Sequence, residues 1–109
     1  MSVRLYVLQR ATAAVMVPLL LLHLGVIFYA SRRGLSAADL LGRTRGSLTW
    51  GSLYTVLVLA ASTHAAIGIR VIASEWTPLR GAALESLTWA CGVLLVLLGL
   101  TAVAAVVLA

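Results

Sequence analysis

The sequence is poor in charge. Among its 109 residues there is no lysine, one aspartate, two glutamates and eight arginines, so 10% of positions are charged. A soluble domain carries about a quarter, because its core must be covered by a solvated shell. Eleven charges cannot cover a water-facing globule of this length, and a separate soluble catalytic domain is excluded. Cysteine is nearly absent too. Cys91 stands alone in an apolar run, which excludes a disulfide framework and a cysteine metal cluster. What remains is apolar: 62% of residues are hydrophobic and the mean hydropathy is +1.10. Disorder is excluded by the same figure, and lipid is the solvent for most of the chain.

The formal charge of +5 raises the question of nucleic acid. The arginines are scattered and fall mainly at the ends of apolar runs, as membrane flanks do and a phosphate-binding face does not. No nucleic-acid partner is expected. The run Ala11 to Ala30 is as long as a full bilayer span. It exceeds a signal h-region of about 7–15 residues, and no cleavage motif precedes a soluble domain, so the N-terminus reads as a span.

Three segments reach the ~20 apolar residues a crossing needs. They run over about 8–30, 48–74 and 87–107, and the expected fold is an all-α membrane protein with three transmembrane helices in one domain. Pro18 lies inside the first span and is tolerated there as a kink. Between the first two spans, Ser36 caps a short interfacial helix. Between the last two, Pro78 and Gly81 break helix. Trp50, Trp76, Trp89, Tyr6 and Tyr29 lie near span ends, as an aromatic belt places them. Charge does not orient the chain. The first loop carries Arg32, Arg33, Arg43 and Arg45, and the opposite side carries Arg4, Arg10, Arg70 and Arg80.

Polar groups inside a membrane are costly and mark function, which singles out the second span. There His64 and Gly68 lie one turn apart on one face, near Ala60, Ala61 and Ala65. Such a low wall admits a flat macrocycle, and imidazole is a common axial ligand for haem iron. His64 lies eleven residues before Glu75, or ~16 Å; His23 lies thirteen after Arg10, or ~20 Å. Two crossings separate Arg10 from Glu75, so both depths are measured from one face. A neutral histidine bonded to a helix carbonyl is the structural alternative for each. The ends of the first two spans bring Tyr6, Gln9, Arg10, Glu75 and Trp76 to that same face, where they would bind a polar head group. Ordinary snorkelling and belt anchoring explain the same residues. In the third span Gly92 and Gly99, seven apart, allow close helix packing.

Two stretches resemble a known family, the haem-binding membrane anchors of succinate dehydrogenase and fumarate reductase (respiratory complex II). Leu8-Gln-Arg-Ala-Thr-Ala13 resembles the start of the first helix in the small anchor subunit. His64-Ala-Ala-Ile-Gly-Ile-Arg70, followed by Glu75-Trp76, resembles the second helix, where the family usually has an Asp-Tyr pair. The Gly68-Ile69-Arg70 tripeptide is more like the larger, cytochrome b anchor. The resemblance implies that His64 is the axial ligand of haem b, and that Gly68 and Arg70 belong to the haem-side motif. Arg10 corresponds to an arginine near the haem propionates and the quinone. Glu75 and Trp76 correspond to quinone-site positions, with Tyr6 and Gln9 beside them. His23 departs from the single-haem pattern. It is either a second haem ligand paired across two such chains, or a partner of His64 on one haem, since the estimated depths differ by only about 3–4 Å.

The implied role is a non-catalytic subunit of a quinone oxidoreductase. Flavin (FAD) and iron–sulfur clusters would reside in a flavoprotein and an iron–sulfur partner. A second anchor chain, related or identical, would complete the bundle. The implied location is the bacterial inner (cytoplasmic) membrane, with the N-terminus and the Glu75 face cytoplasmic. Three rivals remain: a haem-free structural anchor, a small proton-conducting subunit, and an anchor for a different soluble dehydrogenase.

Overall fold

Three long helices form where the apolar runs predict them, and α1 and α4 begin several residues before their runs. The computed structural model describes residues 2–108. Helix α1 spans Val3–Arg33, α2 Ala37–Thr44, α3 Leu48–Trp76 and α4 Gly81–Val107. The three long ones meet the length and hydropathy of membrane spans. The Ser2 hydroxyl accepts from Leu5 N–H at 3.2 Å and starts α1 before its first arginine. Gly34, at φ 63°, ends it in the left-handed conformation that glycine adopts without steric cost.

The predicted boundaries of the third span were too short. Helix α4 begins at Gly81, not Leu87, because the break made by Pro78 is confined to residues 77–80. The Ala-Ala-Leu-Glu stretch that follows Gly81 is good helix former, and Leu84 in it is buried. Helix α1 likewise begins at Val3 instead of near Leu8. The interfacial helix is α2, with the expected Ser36 cap in full capping-box form. Asp39 N–H donates to the Ser36 hydroxyl at 3.1 Å, and Ser36 N–H donates to the Asp39 carboxylate at 2.9 Å. Those bonds hold the Asp39 carboxyl below its usual range.

Helix α3 is central. It packs antiparallel against α1 on one side and α4 on the other. Small residues make the α3–α4 seam. Gly92 faces Ala66, where an added Cβ would sit 3.4 Å from the alanine methyl, and a Cβ at Gly99 would fall inside the Val58 side chain. Large apolar groups point outward instead: Leu21, Phe28, Leu97 and Leu98 are all exposed. The chain exposes 7330 Å², where a soluble globule of its mass exposes roughly 5800 Å². Lipid and partner subunits are the medium that such a surface requires. Helix α2 folds back over the end of α4, where Thr44 Oγ1 donates to the Val106 carbonyl at 2.6 Å and Gly46 N–H donates to the Val107 carbonyl at 2.7 Å.

Candidate functional site

His64 stands near the middle of α3, and its ring turns toward α1. Nδ1 lies 3.2 Å from Thr12 Oγ1 and 3.3 Å from the Gln9 carbonyl oxygen. Thr12 is buried, and its hydroxyl also lies 2.9 Å from the Leu8 carbonyl and 3.0 Å from the Gln9 carbonyl. A hydroxyl has one proton to give. With that proton donated back to a helix carbonyl, as threonine does in helices, the Thr12 oxygen accepts from His64. The Gln9 carbonyl can only accept. Both neighbours therefore assign the proton of His64 to Nδ1 and leave the lone pair on Nε2. Among the described residues Nε2 has no hydrogen bond, and it is not sealed inside the bundle. A structural histidine would make the same bonds at Nδ1. An open Nε2 at mid-membrane depth is what a metal ligand adds, since a ligating imidazole typically anchors its other N–H on a carbonyl or similar acceptor.

Gln9 shares this depth. A Cβ added at Gly68, one turn after His64, would lie 3.7 Å from Gln9 Nε2, an ordinary contact, so this chain alone does not demand glycine there. Gln9 Oε1 is buried without a hydrogen-bond partner. An orphaned buried acceptor is uncommon and marks a site where water or a ligand supplies the partner. Arg10, the next residue, is exposed on the outer side of α1 with its guanidinium 5.5 Å from the Tyr6 ring centroid.

The expected five-residue cluster at the ends of the first two spans divides in two. Gln9 and Arg10 stand level with His64, with Tyr6 one turn below. Glu75 lines a recess of about 390 Å³ with Ser2, Leu5 and Arg70, and Trp76 beside it is exposed. Arg70 is drawn away from the haem-side motif, because its guanidinium pairs with Glu85 at 2.7 Å. Ala61 and Ala65 also leave the expected wall around the imidazole. They line a groove between α3 and α4, whereas Ala60 and Gly68, one turn to either side of His64, share its helical face.

The depth of His23 is corrected most. Its ring meets Tyr54 edge-to-face, with centroids 5.5 Å apart. Tyr54 precedes His64 by ten residues, or roughly 15 Å along α3, and Thr12 precedes His23 by eleven. The two histidines therefore lie roughly 15 Å apart along the bundle, where the sequence arithmetic gave 3–4 Å. That arithmetic set Arg10 level with Glu75. In the fold it is Ser2 and Leu5 that meet Glu75, because α1 starts earlier than its apolar run. One iron held by both histidines of one chain is excluded, since the ligating nitrogens would have to lie roughly 4 Å apart at metal–nitrogen bonds near 2 Å.

His23 instead lines a cavity of about 370 Å³ at the opposite end of the bundle, beneath α2, with Ala30, Leu40, Tyr54 and Val106 among its walls. His23 Nδ1 is buried and unpartnered, unlike the anchored Nδ1 of His64.

These placements describe a membrane bundle with one polar locus around His64, and the family comparison agrees with that architecture. The model of the succinate dehydrogenase/fumarate reductase transmembrane subunit family matches residues 1–108. The chain belongs to this family. It is a multi-pass membrane anchor subunit of a complex II-type assembly, whose soluble catalytic subunits lie outside this chain. No curated protein and no solved structure gives a significant match.

Sequence reasoning missed three residues of this anchor. Thr12 lies in the Arg-Ala-Thr-Ala stretch, but its contact depends on how α1 is rotated against α3. Glu85 was placed in a loop, so its pairing with Arg70 was not visible. Tyr54 is an ordinary aromatic in an apolar run until the fold sets it against His23.

Proposed function

We propose that this anchor subunit binds haem b, that His64 Nε2 at the surface of the three-helix bundle would hold it, and that a second anchor chain would supply another ligand. The observation that carries this reading is the state of His64, with Nδ1–H held by Thr12 and Gln9 of α1 and Nε2 open at mid-membrane depth. The residues present fit the group. His64 offers a neutral imidazole nitrogen, and Arg10, exposed at the same level, offers a cation for a propionate. Haem supplies one-electron redox chemistry when bound. The chain's own part is to orient the ligand nitrogen and to keep it in a low-dielectric setting.

The same reading puts quinone on the Glu75 side of the bundle. Gln9 is a hydrogen-bonding residue whose side-chain oxygen lacks a partner, Arg10 and Tyr6 flank it outside α1, and Glu75 and Trp76 stand toward the membrane face. Glu75, exposed at its recess, is placed to take protons from water. Electrons would arrive from an iron–sulfur subunit, itself supplied by a flavoprotein carrying FAD. The chain itself performs no dicarboxylate chemistry. The complex would sit in the bacterial inner membrane with the N-terminal, Glu75-bearing face cytoplasmic. His23 lies outside this haem site.

A reduced-minus-oxidised spectrum of the purified complex tests the reading. The wild type is expected to show b-type Soret and α bands, and His64→Ala to lose them while the anchor still inserts. Unchanged haem in His64→Ala overturns the ligand assignment. Arg10→Ala and Glu75→Ala are expected to lower quinone turnover roughly tenfold or more, a loss of about 1.4 kcal/mol or more in transition-state terms, and to spare turnover with a soluble acceptor. Equal loss with both acceptors would mean damaged assembly and would contradict a quinone role.

A further inference from the structure

The geometry points to a binding site for an anionic phospholipid at the end of the bundle opposite Glu75, with its head group against Arg33 and Arg43 and an acyl chain in the cavity beneath α2. This inference does not depend on the haem reading. Arg33 ends α1 and Arg43 lies in the last turn of α2, yet both guanidiniums stand over one ring, 5.5 and 5.9 Å from the Tyr29 centroid. Arg32 stands 5.8 Å over the neighbouring Phe28 ring. The fold therefore gathers three cations from two elements onto two adjacent aromatic residues.

Among the described residues only Asp39 offsets any of this charge, acting on Arg43, and Arg32 and Arg33 have no acid partner. Asp39 is the one acid between Ser31 and Ser47, and its carboxylate is engaged in the Ser36 capping box. Among the described residues no ion pair reaches any of these arginines. Converging like charges repel, and an external anion offsets that cost. Guanidinium forks match phosphate oxygens in pairs, and the planar group stacks on aromatic rings while it does so.

The cavity decides between a free phosphate and a lipid. Its volume is about 370 Å³, and its walls are almost wholly apolar, with Ile27, Leu40, Leu57 and Val103 among them. Leu40 and Ala30 of that wall lie three residues from Arg43 and Arg33, one helical turn from the cations. Helix α2 forms the roof and is fixed by the Thr44 and Gly46 bonds to the end of α4. A free phosphate uses the arginines and leaves unfilled a cavity whose lining is apolar apart from His23, Thr44 and Tyr54. A phospholipid uses both.

The test is lipid analysis of the detergent-purified complex carrying the full chain. Phosphatidylglycerol or another anionic phospholipid is expected to stay bound through washing. The double variant Arg33→Gln/Arg43→Gln is expected to retain roughly tenfold less, whereas Arg80→Gln, at the other face, retains the wild-type amount. Ala102→Phe fills the cavity and keeps every arginine; it is expected to lose the lipid as well. After delipidation, phosphatidylcholine vesicles containing phosphatidylglycerol are expected to raise thermal stability above that in pure phosphatidylcholine vesicles, and inorganic phosphate is expected to have no effect. Wild-type retention by the double variant overturns the site, and equal loss in Arg80→Gln reduces it to general attraction of lipid. Retention by Ala102→Phe, or stabilisation by phosphate alone, removes the acyl chain from the assignment.

Discussion

Thr12 governs which nitrogen of His64 is free, and on the proposed haem reading its effect would reach the iron only through the imidazole. Thr12→Val removes one of the two acceptors at Nδ1–H and keeps the branched shape. The Gln9 carbonyl remains, so haem should stay bound. The bundle should lose only about 0.6 kcal/mol, the usual worth of an interhelical side-chain hydrogen bond in a membrane. A weaker bond at Nδ1 makes the imidazole less basic, which favours the ferrous state. Redox titration should therefore show a higher haem potential in Thr12→Val and recovery in Thr12→Ser; an unmoved potential would contradict the positioning role. His64 and Gly68 were legible in the sequence because imidazole and a flanking glycine are conspicuous in a lipid-soluble run. Thr12 was not, since a threonine in a helix usually bonds its own backbone, and only the packing of α1 on α3 gives it a second partner.

Helices were legible in number and order, and their ends were not. An apolar run measures the part of a helix that meets lipid, whereas the backbone continues until Ser2, Gly34 or Pro78 supplies a stop. That difference of about five residues at the start of α1 is small for the fold and large for the site. It moved Gln9 and Arg10 from the membrane face to the level of His64, and it separated the two histidines by roughly three turns. The seam glycines of α4 were read correctly as places of close packing. Gly99→Leu should cost about 1–3 kcal/mol by overpacking against Val58, seen as a lower unfolding midpoint in detergent. Gly25 has no neighbour within 4 Å of an added Cβ, so Gly25→Leu should leave the midpoint in place. Equal losses at both positions would contradict the packing account of the α3–α4 seam.

At the scale of the whole molecule, Nε2 of each histidine is without a hydrogen bond among the described residues, and the two rings lie roughly 15 Å apart along the bundle, too far to share one iron. On the proposed haem reading, a second histidine ligand would have to come from another chain. The scarcity of charge that excluded a soluble enzyme also made each polar intrusion easy to find, but the direction in which His64 opens follows from the packing of α1 alone. Haem b content per anchor chain in the purified complex tests this account most directly. The account predicts one haem for every two anchor chains, lost when His64 is replaced by alanine. A complex with no haem, or one that keeps its haem in the His64 variant, would contradict it.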